Sequence, residues 1–302
     1  MNTLLKIYLV FILALILTSC MEESANVSIF EEYDTYQRTA MLAYVDGKYE
    51  VALLNFEKAF AVKNDESEND YFFAAASALR LQENNKAKEF IKDAIVINNA
   101  NKSYFENFEE FDGFRHLDLM VSIDKDYETY QNKYLDNQEN PDLDNRLNEL
   151  MDLDQAVRDG RSSEDMNTRD SLNIMELIEI TEKYGWQDKS WLLLWHQRGK
   201  YQEDNYVWSY FRPLIDSLIA EGQIRPDYWS RYEDEKLMFS KGVQKYGTYW
   251  NNYDDYPVEN VETIDELRNE VGLPPLWYMN KVYHSNLPDG YTGKDPNKTP
   301  NP

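Results

Sequence analysis

The sequence predicts a mainly α protein, with a set of helical hairpins at its N-terminal end and a second, mostly α-helical domain after them. Three observations carry this. A pattern of alanines and aromatics recurs at a constant offset of 35 between residues 36 and 94. Apolar residues return at helical spacing through 103–135 and again through 145–285, with glycine and proline marking the stops. No stretch of the second region sustains the period-two alternation of a strand. The length of 302 residues leaves room for two domains.

Composition removes several functions. A formal charge of −24, from 55 acidic against 31 basic side chains, offers no basic stripe to replace phosphate counterions. Nucleic acid is therefore excluded as a partner. One cysteine and three histidines leave little for a transition-metal site, and no cofactor is expected. Asp152-Leu153-Asp154 and Asp142-Leu143-Asp144 echo a calcium loop. Neither has glycine at the sixth position or glutamate at the twelfth.

At the N-terminus, Lys6 precedes an unbroken apolar run over residues 7–17. Eleven residues at about 1.5 Å each cover roughly 16 Å, short of the ~30 Å hydrocarbon layer. The run reads as the core of a secretory signal in residues 1–20. It ends in Leu17-Thr18-Ser19-Cys20, which resembles the lipobox of bacterial lipoproteins. The resemblance implies that Cys20 is acylated, as with palmitate, and becomes the mature N-terminus and membrane anchor. Met21, where aspartate would signal inner-membrane retention, implies an outer membrane address, periplasmic or at the cell surface. Glu22 and Glu23 resemble acidic surface-export tags, and residues 21–35 form a tether and the start of the first helix.

Tyr36, Ala40, Gly47, Tyr49, Ala52, Phe56 and Ala59 recur as Tyr71, Ala75, Gln82, Asn84, Ala87, Ile91 and Ala94. The pattern resembles the second half of a tetratricopeptide repeat, which implies two helical hairpins within residues 36–140 and a concave groove for a protein or peptide. Small alanines let antiparallel helices approach, and the aromatic one turn on fills the gap. Gly47 and Asn85 are the expected turn residues. Two hairpins cannot close a core, so Tyr104, Phe105, Phe108, Phe111, Phe114 and Leu117 are expected to cap them, with His116 an ordinary helix residue. A polar turn around Pro141 sets the boundary of the second domain at 141–285.

In that domain Leu147, Leu150, Met151 and Val157 predict one amphipathic helix, and Leu172, Met175 and Ile178 a second, ending near Gly185. Pro213 and Pro226 are expected in the first turns of two more, with Gly222 between them. Thr263 and Glu266 spell a capping box for a helix over 263–271, which Gly272 and Pro274 end. Residues 241–262 read as a long ordered loop or a pair of short strands, and residues 286–302 as a disordered tail.

Residues from about 145 to 280 resemble a bacterial domain family of unknown function, often joined to repeat helices in lipoproteins. The residues that carry this are Asp154-Gln155 with Arg158, Tyr184-Gly185-Trp186, His196, a QxYGT motif at Gln244–Thr248 and an RxxVGLPPL motif starting at Arg268. The chain departs from the family at Gln187, Gln197-Arg198, Glu235, Tyr249 and Leu267. The resemblance implies a fold unit and candidate positions rather than a reaction.

One candidate pocket follows: Asp154, Arg158, Trp186, His196, Asp234, Gln244, Tyr246, Thr248 and Arg268. Imidazole beside carboxylate is the material of general acid–base catalysis. The same residues also serve as a helix ion pair, a half-buried histidine and a turn. No HExxH, GxSxG or phosphate-cradling loop is present. The leading expectation is thus a lipid-anchored, non-enzymatic adaptor binding a protein or peptide in the cell envelope. The alternatives are a hydrolase-like enzyme around His196 and the 244–248 loop, and glycan binding by the aromatics Tyr246, Tyr249, Trp250, Tyr253 and Tyr256.

Overall fold

A computed structural model of the chain describes residues 28–200 and 205–293. The signal expected in residues 1–20 with Cys20, most of the expected tether and the end of the expected tail lie outside the described residues. Among the described residues every regular element is helical, and the β-pairing is one parallel bridge between Gln244 and Val258. The region 241–262 is therefore an ordered loop rather than a strand pair.

Two hairpins open the fold: α1 (Ile29–Val45) with α2 (Tyr49–Val62), then α3 (Glu68–Arg80) with α4 (Asn84–Asn98). The 35-residue offset is obeyed in packing. Ala40, Ala52, Phe56 and Ala59 are fully buried, as are Ala75, Ala87, Ile91 and Ala94. It is obeyed in the backbone too. Lys48 N donates to Ala43 O at 2.8 Å, and Glu83 N donates to Ala78 O at 2.9 Å. The left-handed residues of the two turns are Gly47 (φ 73°) and Gln82 (φ 62°). The expectation for Asn85 is corrected: it lies in the first turn of α4, and Gln82 takes a conformation that costs a non-glycine residue about 1–2 kcal/mol.

Helix α5 (Lys102–Asn107), a 3-10 turn (Glu109–Phe114) and α6 (Asp118–Asn137) complete this unit. Phe105, Phe108 and Phe111 are buried and meet the Phe72 ring of α3 at centroid distances of 6.2, 5.3 and 5.4 Å. Met120, Ile123 and Tyr127 of α6 join the same core, and the Tyr127 hydroxyl donates to Ala100 O at 2.8 Å. Phe105, Phe108 and Phe111 thus cap the hairpins as part of their core.

One carboxylate is trapped between the hairpins. Asp70 is 4% exposed and accepts from the Tyr33 hydroxyl at 2.5 Å and Gln37 Nε2 at 2.9 Å. Burial outweighs these bonds and pushes its pKa up to about 6. The unfolded chain releases this proton near pH ~3.9, whereas the folded chain holds it to about pH 6. Asp70 thus contributes fully below about pH 4, and its contribution is lost as pH rises through about 6. We expect the stability difference between wild type and Asp70→Asn to fall by about 2–3 kcal/mol from pH 4 to pH 7. Urea titrations of both proteins across that range check it, and a pH-independent difference would refute it.

The second unit packs α7 (Pro141–Arg158), α8 (Met166–Tyr184), α9 (Trp191–Trp195), α10 (Tyr206–Ala220) and α11 (Ser230–Lys241) around Leu147, Leu150, Ile174, Leu177, Leu194, Phe211 and Ile215. Asn140 caps α7 by accepting from Leu143 N at 3.1 Å, with Pro141 in the first turn. Three expectations are corrected here. Leu172 and Met175 are exposed, and α8 buries Asn173, Ile174, Leu177, Ile180 and Thr181 instead. Pro213 lies inside α10, where burial of Val207, Trp208, Phe211 and Ile215 outweighs the ~3 kcal/mol that proline costs a helix. Pro226 stands in the turn before α11, not in its first turn.

The capping box does not form either. A 3-10 turn (Val261–Thr263) leads into α12 (Ile264–Glu270), and the Thr263 side chain makes no cap bond. The last helix before the boundary expected at 285 is α13 (Leu276–Tyr283). This helix returns to the hairpins and packs on α1, with Tyr278 and Val282 buried in the hairpin core. Polar ties follow the same path. Arg38 Nη2 donates to Gly272 O at 2.6 Å, and Arg225 pairs with Glu66 at 2.6 Å and Asp34 at 2.8 Å. The tail is ordered as far as it is described. The Tyr291 hydroxyl donates to Asp265 Oδ2 at 2.5 Å and accepts from Trp277 N at 2.9 Å.

Candidate functional site

The nine candidate residues divide between two networks, with Trp186 in neither. The first network joins α7, α8 and the end of α9. Asp154 is 1% exposed, and its Oδ1 accepts from Arg158 Nη1 at 2.9 Å. Its Oδ2 accepts from Gln155 Nε2 at 2.8 Å and lies 2.7 Å from His196 Nδ1. The imidazole contact is close but lacks the alignment of a full hydrogen bond. Arg158 bridges onward to Asp170 Oδ1 at 2.7 Å, and Gln197 Nε2 donates to Asp170 O at 3.2 Å. The i,i+4 spacing of Asp154 and Arg158 predicts their pairing, and the helical turn at 192–196 delivers His196 to it.

The second network folds the long loop. Asp234 on α11 is fully buried and accepts four bonds: Lys245 N at 2.7 Å, Tyr246 N at 2.8 Å, and Thr248 N and Oγ1 both at 2.8 Å. Gly247 between them has φ 66°, and a Cβ there would come within 2.9 Å of the Tyr253 hydroxyl. The glycine and threonine of QxYGT thus have a mechanical reason. Gln244 is also fully buried and holds Tyr249 N at 2.9 Å and Tyr256 O at 2.9 Å. Arg268 fastens the RxxVGLPPL segment by donating to Tyr246 O at 2.5 Å and Pro274 O at 2.6 Å.

Among the described residues no hydrogen bond or ion pair joins His196 or Asp154 to Asp234 or the 244–248 loop. Trp186 packs edge-on against Phe211 and Tyr228 in the second core. Nor do the five loop aromatics form an open platform. Tyr246 and Tyr253 are buried, and Tyr249, Trp250 and Tyr256 are half-buried. The Tyr249 hydroxyl donates to Glu235 at 2.8 Å.

Thr248 and Arg268 do share one concave feature, a cavity of about 230 Å³ beneath the loop. Its other walls include Asp227, Arg231 and Ser285, none of which carried a motif in the sequence. No group of His, Cys, Asp and Glu suited to a metal ion occurs among the described residues, and no described helix is long and apolar enough to cross a membrane. No protein-family model matches the chain, and no significant match occurs among curated proteins or solved structures.

Proposed function

We propose that this chain is a non-enzymatic adaptor of the cell envelope, held to the outer membrane by lipid on Cys20, that binds a protein or peptide partner through its repeat helices. The observation that carries it is an open flank on the first hairpin. In the second hairpin Tyr71 is buried and stacks on Phe60 of the preceding α2 at 3.9 Å. Among the described residues no hairpin precedes its counterpart Tyr36, which stays half-buried beneath the Lys58 ammonium, 5.5 Å away. Val51, Leu54 and Lys58 recur at i, i+3 and i+7, so they form one stripe beside Tyr36. Val51 and Leu54 are 45% and 52% exposed. The uncovered face of a repeat helix is ordinarily polar, so an apolar stripe here suits a docking helix.

This flank, rather than a concave groove, is the interaction face. The first helices of both hairpins are already covered by Phe105, Phe108, Phe111 and α13. The charge of −24 favours a partner with a basic or neutral face. The test immobilises the chain lacking residues 1–20 and compares captured envelope proteins with those taken by Val51→Glu/Leu54→Glu. Exposed substitutions cost within about 0.5 kcal/mol, so the variant folds. We expect a specific partner to be lost at least tenfold. Identical capture by both proteins refutes the reading.

A hydrolase-like enzyme is the second reading, and the 2.7 Å His196–Asp154 contact favours it. It ranks lower because Asp154 already serves Arg158 and Gln155, while the 244–248 loop belongs to the other network.

A further inference from the structure

The cavity beneath the 244–248 loop holds an electrostatic imbalance that the fold does not resolve. Arg268 is 3% exposed, and burial lowers its pKa from the ordinary guanidinium value. Its two hydrogen bonds go to neutral carbonyls. The carboxylates that favour its charge are Asp265 and Asp234. Asp265 is committed to Leu276 N at 2.7 Å and the Tyr291 hydroxyl at 2.5 Å, and Asp234 to its four loop donors. A buried cation served only by carbonyls is costly unless an anion joins it.

Two more groups turn this into a built site. Ser285 is a residue of the cavity wall, only 1% exposed, and its buried hydroxyl has no hydrogen-bond partner among the described residues. Arg231 also lines the wall, set against the rings of Trp195 at 5.2 Å and Tyr249 at 5.0 Å. Asp227 lines the same cavity, and among the described residues its ion pair is with Arg225 at 3.4 Å. Arg225 is shared with Asp34 and Glu66 at shorter range, and burial raises the Asp227 pKa, so this carboxylate is only weakly compensated. Trp250, Leu276 and Met279 supply an apolar side.

The geometry points to a binding pocket for a free α-amino acid: its carboxylate on Arg268, Arg231 and the Ser285 hydroxyl, its ammonium toward Asp227, and its side chain against the apolar wall. A simple anion leaves Asp227 with only its long pair to Arg225, and a simple cation leaves Arg268 with only carbonyl partners. The zwitterion satisfies both, and the ~230 Å³ volume limits the ligand to this size class. The assignment is independent of the docking flank.

The experiment is isothermal titration calorimetry on the chain lacking residues 1–20. The probes are L-leucine and L-phenylalanine, with 4-methylpentanoate as carboxylate alone and 3-methylbutylamine as ammonium alone. We expect one of the amino acids to bind saturably, and both single-charge probes to bind at least tenfold more weakly. Arg268→Gln releases two loop carbonyls and risks misfolding, so the reading rests on Ser285→Ala and Arg231→Gln. Circular dichroism should show both folded, with affinity reduced about threefold to tenfold in Ser285→Ala and about tenfold or more in Arg231→Gln. No saturable binding of either amino acid overturns the proposal. So does a single-charge probe that binds as tightly, or unchanged affinity in both variants.

Discussion

Asp234→Asn is expected to destabilise the protein by about 3–5 kcal/mol and to release the 244–259 loop. The amide keeps one acceptor oxygen for Lys245 N and Tyr246 N, but sets an NH2 against Thr248 N, while Thr248 Oγ1 can turn to accept. A bond to a charged acceptor is worth about 1.5–3 kcal/mol, and here one is lost outright while the other three lose the charge. Urea unfolding gives the magnitude, and limited proteolysis locates the released segment. A loss below about 1 kcal/mol, with the loop still protected, would show that Asp234 is not the clamp described.

The second large effect is expected from a chain ending at Pro275. It deletes α13, and with it Tyr278 at 2% and Val282 at 8% exposure from the hairpin core. Truncating a buried aromatic costs about 3–5 kcal/mol, and a buried valine adds about 1.5 kcal/mol or more. That sum consumes much of a typical domain's stability of about 5–15 kcal/mol. The truncated chain should therefore lose its cooperative thermal transition, including the signal from the hairpins. A hairpin unit that still melted sharply at the wild-type temperature would mean that α13 is an ornament on that core.

The hairpins were legible because their letters report a distance. Alanine at 40, 52, 59, 75, 87 and 94 is required wherever two helix backbones approach, and all six are fully buried. Leu172 and Met175 misled for the opposite reason. Apolar letters alone do not say which face of α8 the rest of the chain covers, and α8 turns inward with Asn173 and Thr181 beside its isoleucines. Pro213 misled because local propensity was weighed without the burial that overrides it.

The polar residues were legible singly but not in their grouping. Asp154 and Arg158 announce each other by spacing, and Gly247 and Thr248 announce a turn. That Asp234, fourteen residues before Thr248, is the acceptor of that turn depends on the angle at which α11 leaves the core. Asp227, Arg231 and Ser285 are ordinary letters in an acidic, serine-containing chain. Only the return of α13, which carries Ser285 on beyond the left-handed His284 (φ 55°), makes them neighbours.

That return also orders events in time. Residues near 278 close onto residues near 40, so the hairpin core is completed only after α13 has been made. Closing so long a loop slows assembly relative to neighbouring helix pairs. A chain interrupted before α13 would therefore leave the places of Tyr278 and Val282 in the hairpin core unfilled, and its helix pairs open to local unfolding.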